Sequence, residues 1–243
     1  MPLPSYLPYA KPLRSDLPPP PIFGVLFDFD GTLIDASEAI CTAFHQACRM
    51  HALAVVDAAT IRSWIGRPLR EMFLRVQPSA TSMQVDAYVQ SYRDAFHPIS
   101  VPLSRPLPGV GRALAALGRQ GRLAVVTTRM ADGAWQILRG HGLDVHFSAV
   151  VGIEHVTNPK PHPEPVLLAL EKLHVDPRHA WMVGDTPDDV AAGRAAGVTT
   201  VGITTGAYQR DALVAAGAKY VIASADELLS LVVRRRCFAG AGL

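Results

Sequence analysis

The side chains best suited to chemistry lie at the ends of short apolar blocks. Asp28 and Asp30 follow Gly24-Val25-Leu26-Phe27, Thr127 and Thr128 follow Leu123-Ala124-Val125-Val126, Asp185 and Asp189 follow Trp181-Met182-Val183-Gly184, and Lys160 stands on a loop between the last two blocks. Each alone has an ordinary reading: an aspartate past a strand is usually a turn or helix-cap residue, and a lone lysine is usually a solvated charge. Together they say more, because in an open parallel sheet the ligand crevice lies beyond the carboxyl ends of the strands. Carboxylates gathered there repel one another and drift toward protonation unless a cation compensates. A hard, oxygen-seeking divalent ion is implied, and Mg²⁺ suits a site with few carboxylates and a phosphate to complete its shell. Lys160 adds a second positive charge.

Positioning these groups requires the blocks to be neighbouring strands. Further blocks end at Gly152 and near Thr204, and helical patterns over residues 109–120, 133–141, 163–173 and 188–196 lie between them. Strands alternating with helices of that length predict an α/β fold, a Rossmann-like parallel sheet with helices on both faces and right-handed crossovers. One interval breaks the rhythm. Between Asp35 and about Pro106 there are only segments rich in helix formers, over 37–50, 57–64, 69–76 and 83–96, followed by Pro98, Pro102, Pro106 and Pro108. The expectation is an all-helical cap inserted after the first strand.

Composition narrows the function classes. The chain has 243 residues, 49% hydrophobic and 18% charged, enough for one large domain or a core carrying a smaller one. Its net charge of +2 gives no basic field of the kind that binds DNA or anionic membranes, and no apolar run reaches ~18 residues. Cys41, Cys48 and Cys237 form an odd set without C-x-x-C spacing, which fits a reducing, cytoplasmic setting. Residues 1–21 are proline-rich and read as a disordered tail, and Arg234-Arg235-Arg236 as a solvated run near the other end. His155 and His162 lack metal-ligand spacing and read as loop residues.

The run Asp28-Phe29-Asp30-Gly31-Thr32-Leu33, the strand ending in Thr127, Lys160 in Lys-Pro-His-Pro-Glu-Pro, and Gly184-Asp185-Thr186-Pro187-Asp188-Asp189 resemble, in order and spacing, the four signature motifs of the haloacid dehalogenase superfamily. The similarity runs from about Phe23 to Leu231, and the chain looks like a phosphoglycolate phosphatase-type member with a helical cap. The resemblance implies that Asp28 is the nucleophile of an aspartyl-phosphate mechanism and that Asp30 protonates the leaving oxygen and later activates water. It implies that Thr127 binds a phosphoryl oxygen and Lys160 neutralises charge. Asp28, the Asp30 backbone carbonyl and Asp185 would then hold Mg²⁺, with Asp189 orienting Lys160 or a metal-bound water. Asp30 separates the phosphatase pattern from a true dehalogenase, which lacks that second aspartate.

Trp64-Ile65-Gly66-Arg67-Pro68-Leu69 resembles the cap loop that reaches the active site in such phosphatases and in related pyrophosphatases. Gly66, Arg67 and Thr128 are therefore candidate substrate contacts. Arg67 reads equally as a solvated arginine or as a grip on a carboxylate or second phosphate, and Arg129 shares that ambiguity. The expected arrangement is a core of residues 22–36 and 106–233, a cap of 37–105, and tails at 1–21 and 234–243. The expected activity is Mg²⁺-dependent hydrolysis of a small phosphorylated metabolite by a monomer or homodimer, with 2-phosphoglycolate the first substrate to try. Pyrophosphate hydrolysis, phosphomutase activity and a non-catalytic binding role on the same fold are the alternatives.

Overall fold

The computed structural model describes residues 23–231; the proline-rich segment 1–21, the arginine run at 234–236 and Cys237 lie outside the described residues. Six strands form a parallel sheet: β1 (Gly24–Phe27), β4 (Arg122–Val126), β5 (Ala149–Val151), β6 (Ala180–Gly184), β7 (Thr199–Ile203) and β8 (Tyr220–Ile222). Their order across the sheet is β5-β4-β1-β6-β7-β8, with β1 hydrogen-bonded in register to β4 on one side and to β6 on the other. The first strand thus lies between the two that carry Thr127 and Asp185, and all three end at the same rim.

Both sheet faces are covered, which explains why the strands read as continuous apolar runs. Val25 and Phe27 of β1, Leu123 and Val125 of β4, and Trp181 and Val183 of β6 face one layer, which includes Leu114 and Leu117 of α5 (Val110–Gly118) and Ile137 and Leu138 of α6 (Ala131–Gly140). The alternating residues Leu26, Ala124, Val126 and Met182 face the other, with Val166 and Leu170 of α7 (Glu164–Leu173) and Ala192 of α8 (Pro187–Ala195). The period of two along each strand assigns every side chain to one layer or the other. A further helix, α9 (Arg210–Ala215), precedes β8, and residues 225–231 after that strand are also helical.

Between β1 and β4 the chain leaves the sheet through β2 (Ile34–Asp35) and returns through β3 (Arg105–Pro106). These strands pair antiparallel, Ile34 with Pro106 and Asp35 with Arg105, and form a two-residue ribbon. Asp35 ties the ribbon off by accepting from Ser37 N and Oγ at 3.1 and 2.7 Å and pairing with Arg105 at 2.6 Å. The intervening helices are α1 (Ser37–Met50), α2 (Ala58–Trp64), α3 (Leu69–Val76) and α4 (Ser82–Phe96). Their shared interior is aromatic: Phe44 stacks on Phe73 at 4.6 Å, with Trp64 and Tyr88 against the same pair. A capping box between Thr81 and Gln84 starts α4, and the Asp57 side chain starts α2. The sequence patterns did not anticipate the ribbon, α9 or β8.

Candidate active site

A tight turn follows β1. Gly31 N donates to Ile34 O at 2.9 Å, and Leu33 N and Ile34 N both donate to Phe29 O. Gly31 has φ +86, a left-handed conformation that costs glycine little. A Cβ there would lie 2.7 Å from Asp185 Oδ2, and one on Gly206 would overlap the same carboxylate. The two glycines therefore keep open the space around Asp185, whose Oδ1 accepts from Thr32 Oγ1 at 3.1 Å.

Asp28, Asp185 and Asp189 converge, with one carboxylate oxygen of each within 4.8 Å of the others. Lys160 enters the same cluster, and these four side chains are between 1 and 6% exposed. The Lys160 ammonium uses all its donors: 2.6 Å to Asp28 Oδ1, 2.6 Å to Asp189 Oδ1 and 3.1 Å to Val126 O. Asp189 is fully engaged, because its Oδ2 accepts from Thr186 N at 3.0 Å and Thr186 Oγ1 at 2.7 Å in the capping box that opens α8. Asp28 Oδ2 is buried and has no hydrogen-bond partner among the described residues.

Three buried carboxylates against one ammonium leave an excess of negative charge. Burial pushes the Asp28 carboxyl from its ordinary 3.8 up to about 7, with Lys160 opposing and Asp189 and Asp30 adding to the rise. Asp185 is also raised well above its ordinary value, by burial first and then by Asp28 and Asp189. Burial opposes the charge on Lys160, but Asp189 and Asp28 overcome it and hold the ammonium above its usual range. The free Asp28 oxygen, the uncrowded Asp185 carboxylate and the surplus charge are what a divalent, oxygen-preferring cation requires, and the residues fit Mg²⁺.

Asp30 stands apart from this cluster. Its carboxylate forms a bidentate pair with Arg129, Nε to Oδ2 at 3.0 Å and Nη2 to Oδ1 at 2.7 Å. The Arg129 guanidinium also lies over the Phe96 ring of α4 at 4.5 Å and near Phe29 at 5.6 Å. Thr127 Oγ1 accepts from Arg129 N at 3.1 Å, and Thr128 Oγ1 donates to Gly66 O at 3.1 Å. Thr128 and Gly66 thus meet across the boundary between sheet and helical insertion. Arg67 Nε is buried without a partner among the described residues. His155 and His162 each accept a hydrogen bond from a backbone N–H within three residues, at 3.1 and 3.2 Å, and lie in local turns.

The sequence-level candidates therefore occupy two levels. Asp28, Thr127, Lys160, Asp185 and Asp189 are buried, whereas Asp30, Gly66, Arg67, Thr128 and Arg129 line a cavity above them. Sequence reasoning missed Thr32 as the partner of Asp185, although it stands inside the Asp-Gly-Thr run, and Phe96 as the ring under Arg129, which no local pattern marks.

A family model described as haloacid dehalogenase-like hydrolase matches residues 25–203. A Dickeya dadantii protein named "Probable phosphatase IndB" is 36% identical over 209 residues, covering 84% of this chain and 91% of its own. Pyrophosphatase PpaX of Bacillus pumilus is 34% identical, with 86% of this chain and 95% of its own covered. A haloacid dehalogenase-like family hydrolase from Streptococcus pneumoniae has a similar solved structure, with TM-score 0.76, 26% identity, and coverage of 87% of this chain and 98% of that one.

Proposed function

Because the chain belongs to the haloacid dehalogenase-like hydrolase family, and its relatives are named phosphatases and pyrophosphatases, we propose that it is a Mg²⁺-dependent phosphatase of small phosphorylated metabolites working through a phosphorylated Asp28. The observation that carries this reading is the buried Asp28 carboxylate, with one oxygen fixed by Lys160 at 2.6 Å and the other free.

Asp28 attacks phosphorus through one carboxylate oxygen, the other being left to the metal, while the bond to the leaving oxygen breaks, and Asp30 delivers the proton that the leaving oxygen needs. Water then attacks the phosphoryl-aspartate, Asp30 takes its proton, and inorganic phosphate departs with Asp28 restored. Throughout, Lys160 holds Asp28 in place and balances the charge of the transferring group, and Thr127 offers its hydroxyl to a phosphoryl oxygen. Asp28, the Asp30 carbonyl and Asp185 would hold the metal, with Asp189 fixing Lys160 from behind. Bound there, Mg²⁺ supplies charge neutralisation between carboxylates and phosphate. Arg129 must share its grip on Asp30 when that carboxyl takes part in proton transfer.

The test is phosphate release from a broad panel of phosphate esters, phosphoglycolate included, and from pyrophosphate, with and without Mg²⁺. The expected result is metal-dependent release that Asp28→Asn lowers by ~10³-fold or more. Full activity in Asp28→Asn, or no release from any ester, overturns the reading.

A further inference from the structure

The carboxylate asked to move protons has a single support. Among the described residues, the Asp30 carboxylate takes hydrogen bonds only from Arg129: Nη2 to Oδ1 at 2.7 Å, Nη2 to Oδ2 at 2.9 Å and Nε to Oδ2 at 3.0 Å. Asp189, by contrast, is held by both Lys160 and Thr186. Without the guanidinium fork, no hydrogen bond would select which way the Asp30 side chain points at the end of its turn.

Arg129 is itself held through backbone and side chain together. Its N–H donates to Thr127 Oγ1 at 3.1 Å, and its carbonyl accepts from Ile153 N at 3.0 Å, just beyond β5. Gly152 lets that loop come so close, since a Cβ there would lie 2.8 Å from Arg129 O and 2.5 Å from Ala131 N. Glu154 Oε1 then accepts from Ala131 N at 2.8 Å where α6 begins. Beyond the backbone, the guanidinium lies over the Phe96 ring at 4.5 Å. The ion pair is nearly covered, with 12% of the Arg129 and 14% of the Asp30 side chain exposed. An exposed pair fixes little, whereas a desolvated bidentate pair sets the direction of both groups. The β4 rim, the loop after β5 and α4 thus converge on one guanidinium.

Resting on the phosphatase reading above, the structure assigns Arg129 as the positioning residue for Asp30, not as a grip on substrate. When Asp30 acts as acid, its O–H bond breaks as an O–H bond forms on the leaving alcohol, and the charge left behind falls on oxygens that face the guanidinium. When water attacks the phosphoryl-aspartate, the same carboxylate, held in the same place, receives the water proton. Arg129 acts through Asp30 and forms no bond to the reacting atoms. Its influence is therefore greatest where the leaving oxygen most needs a proton: an alkoxide leaves poorly without one, and p-nitrophenolate leaves readily.

The experiment is a double-mutant cycle of Arg129→Met and Asp30→Asn in the full chain with Mg²⁺. It reads kcat/KM for p-nitrophenyl, phenyl and alkyl phosphates, a parameter that covers the steps through departure of the alcohol. Arg129→Met is expected to lower kcat/KM by about tenfold or more for the alkyl and phenyl esters, and by severalfold less for the p-nitrophenyl ester. In the cycle the two losses are expected not to add, because Arg129 has nothing left to position once Asp30 is replaced. Thermal melting confirms folding, and Arg129→Gln replaces Arg129→Met should the latter not fold. Equal losses for all the esters, additive losses in the cycle, or undiminished kcat/KM in Arg129→Met each overturn the proposal and leave the phosphatase reading standing. No phosphate release from any ester by the unaltered chain overturns the phosphatase reading, and this proposal with it.

Discussion

Lys160 faces more negative charge than it can balance, and pH and metal should reveal this. The raised Asp28 carboxyl means that, without metal, the folded chain binds more protons than the unfolded chain between the ordinary 3.8 and about 7. Stability is therefore fully present below the ordinary value and is lost as pH rises through about 7; the raised Asp185 acts in the same direction. A divalent cation held by these carboxylates would relieve the repulsion only where protons do not compete for the same oxygens. Saturating Mg²⁺ is expected to raise Tm by several degrees at pH 8 and by much less at pH 5, measured by calorimetry. Lys160→Met should cost about 3–5 kcal/mol at pH 8, as expected for one partner removed from a buried ion pair. The cost should be smaller at pH 5, where the stranded carboxylates can protonate; denaturant melts at both values check it.

Among the elements, α8 does two tasks with one cap. Thr186 begins the helix and, through Asp189 Oδ2, fixes the carboxylate whose other oxygen holds Lys160. Thr186→Val should lose about 1–2 kcal/mol of stability as an N-cap deletion. It should also lower kcat more than it raises KM, because Lys160 loses its brace; urea melts and steady-state kinetics separate the two effects. Gly31→Ala places a methyl group against Asp185 on a backbone with φ +86, and a weaker apparent affinity for Mg²⁺ by tenfold or more is expected from metal titrations. Both devices are partly visible in the sequence, where Asp-Gly-Thr follows a strand and Thr-Pro-Asp-Asp opens a helix. The Asp185 partner of Thr32 is not, because 153 residues separate them and only the sheet brings them together.

For the whole molecule, β1, β4, β5, β6 and β7 were legible because strands buried on both faces must be written in apolar residues. The short β8, where Tyr220 and Val221 are half-covered at the sheet edge and only Ile222 is buried, carried too little of that signal. The ribbon of β2 and β3 is too brief to show any period, and it became visible only when residues 70 positions apart were seen paired. The contact of Arg129 with Asp30 on one side and Phe96 on the other joins sheet and insertion, and spacing along the chain does not encode it. Phe96→Leu removes the ring under a desolvated guanidinium, a contact worth about 0.5–2 kcal/mol. It is expected to raise KM severalfold, with faster amide exchange in α4 than in the sheet, read by hydrogen-exchange mass spectrometry.

The ribbon also changes how the sheet experiences its own sequence. With Ile34 beside Pro106 and Asp35 beside Arg105, everything between those strands is, to the sheet, the loop of one hairpin. Loop-closure cost grows only with the logarithm of length, about 0.6 kcal/mol per doubling. An insertion can therefore lengthen, shrink or be exchanged at little expense to the strands that carry Asp28, Thr127 and Asp185. Once the ribbon zips, β1 and β4 are close neighbours along the shortened path. The sheet with its rim of carboxylates and the insertion above it are thus free to diverge separately within one chain.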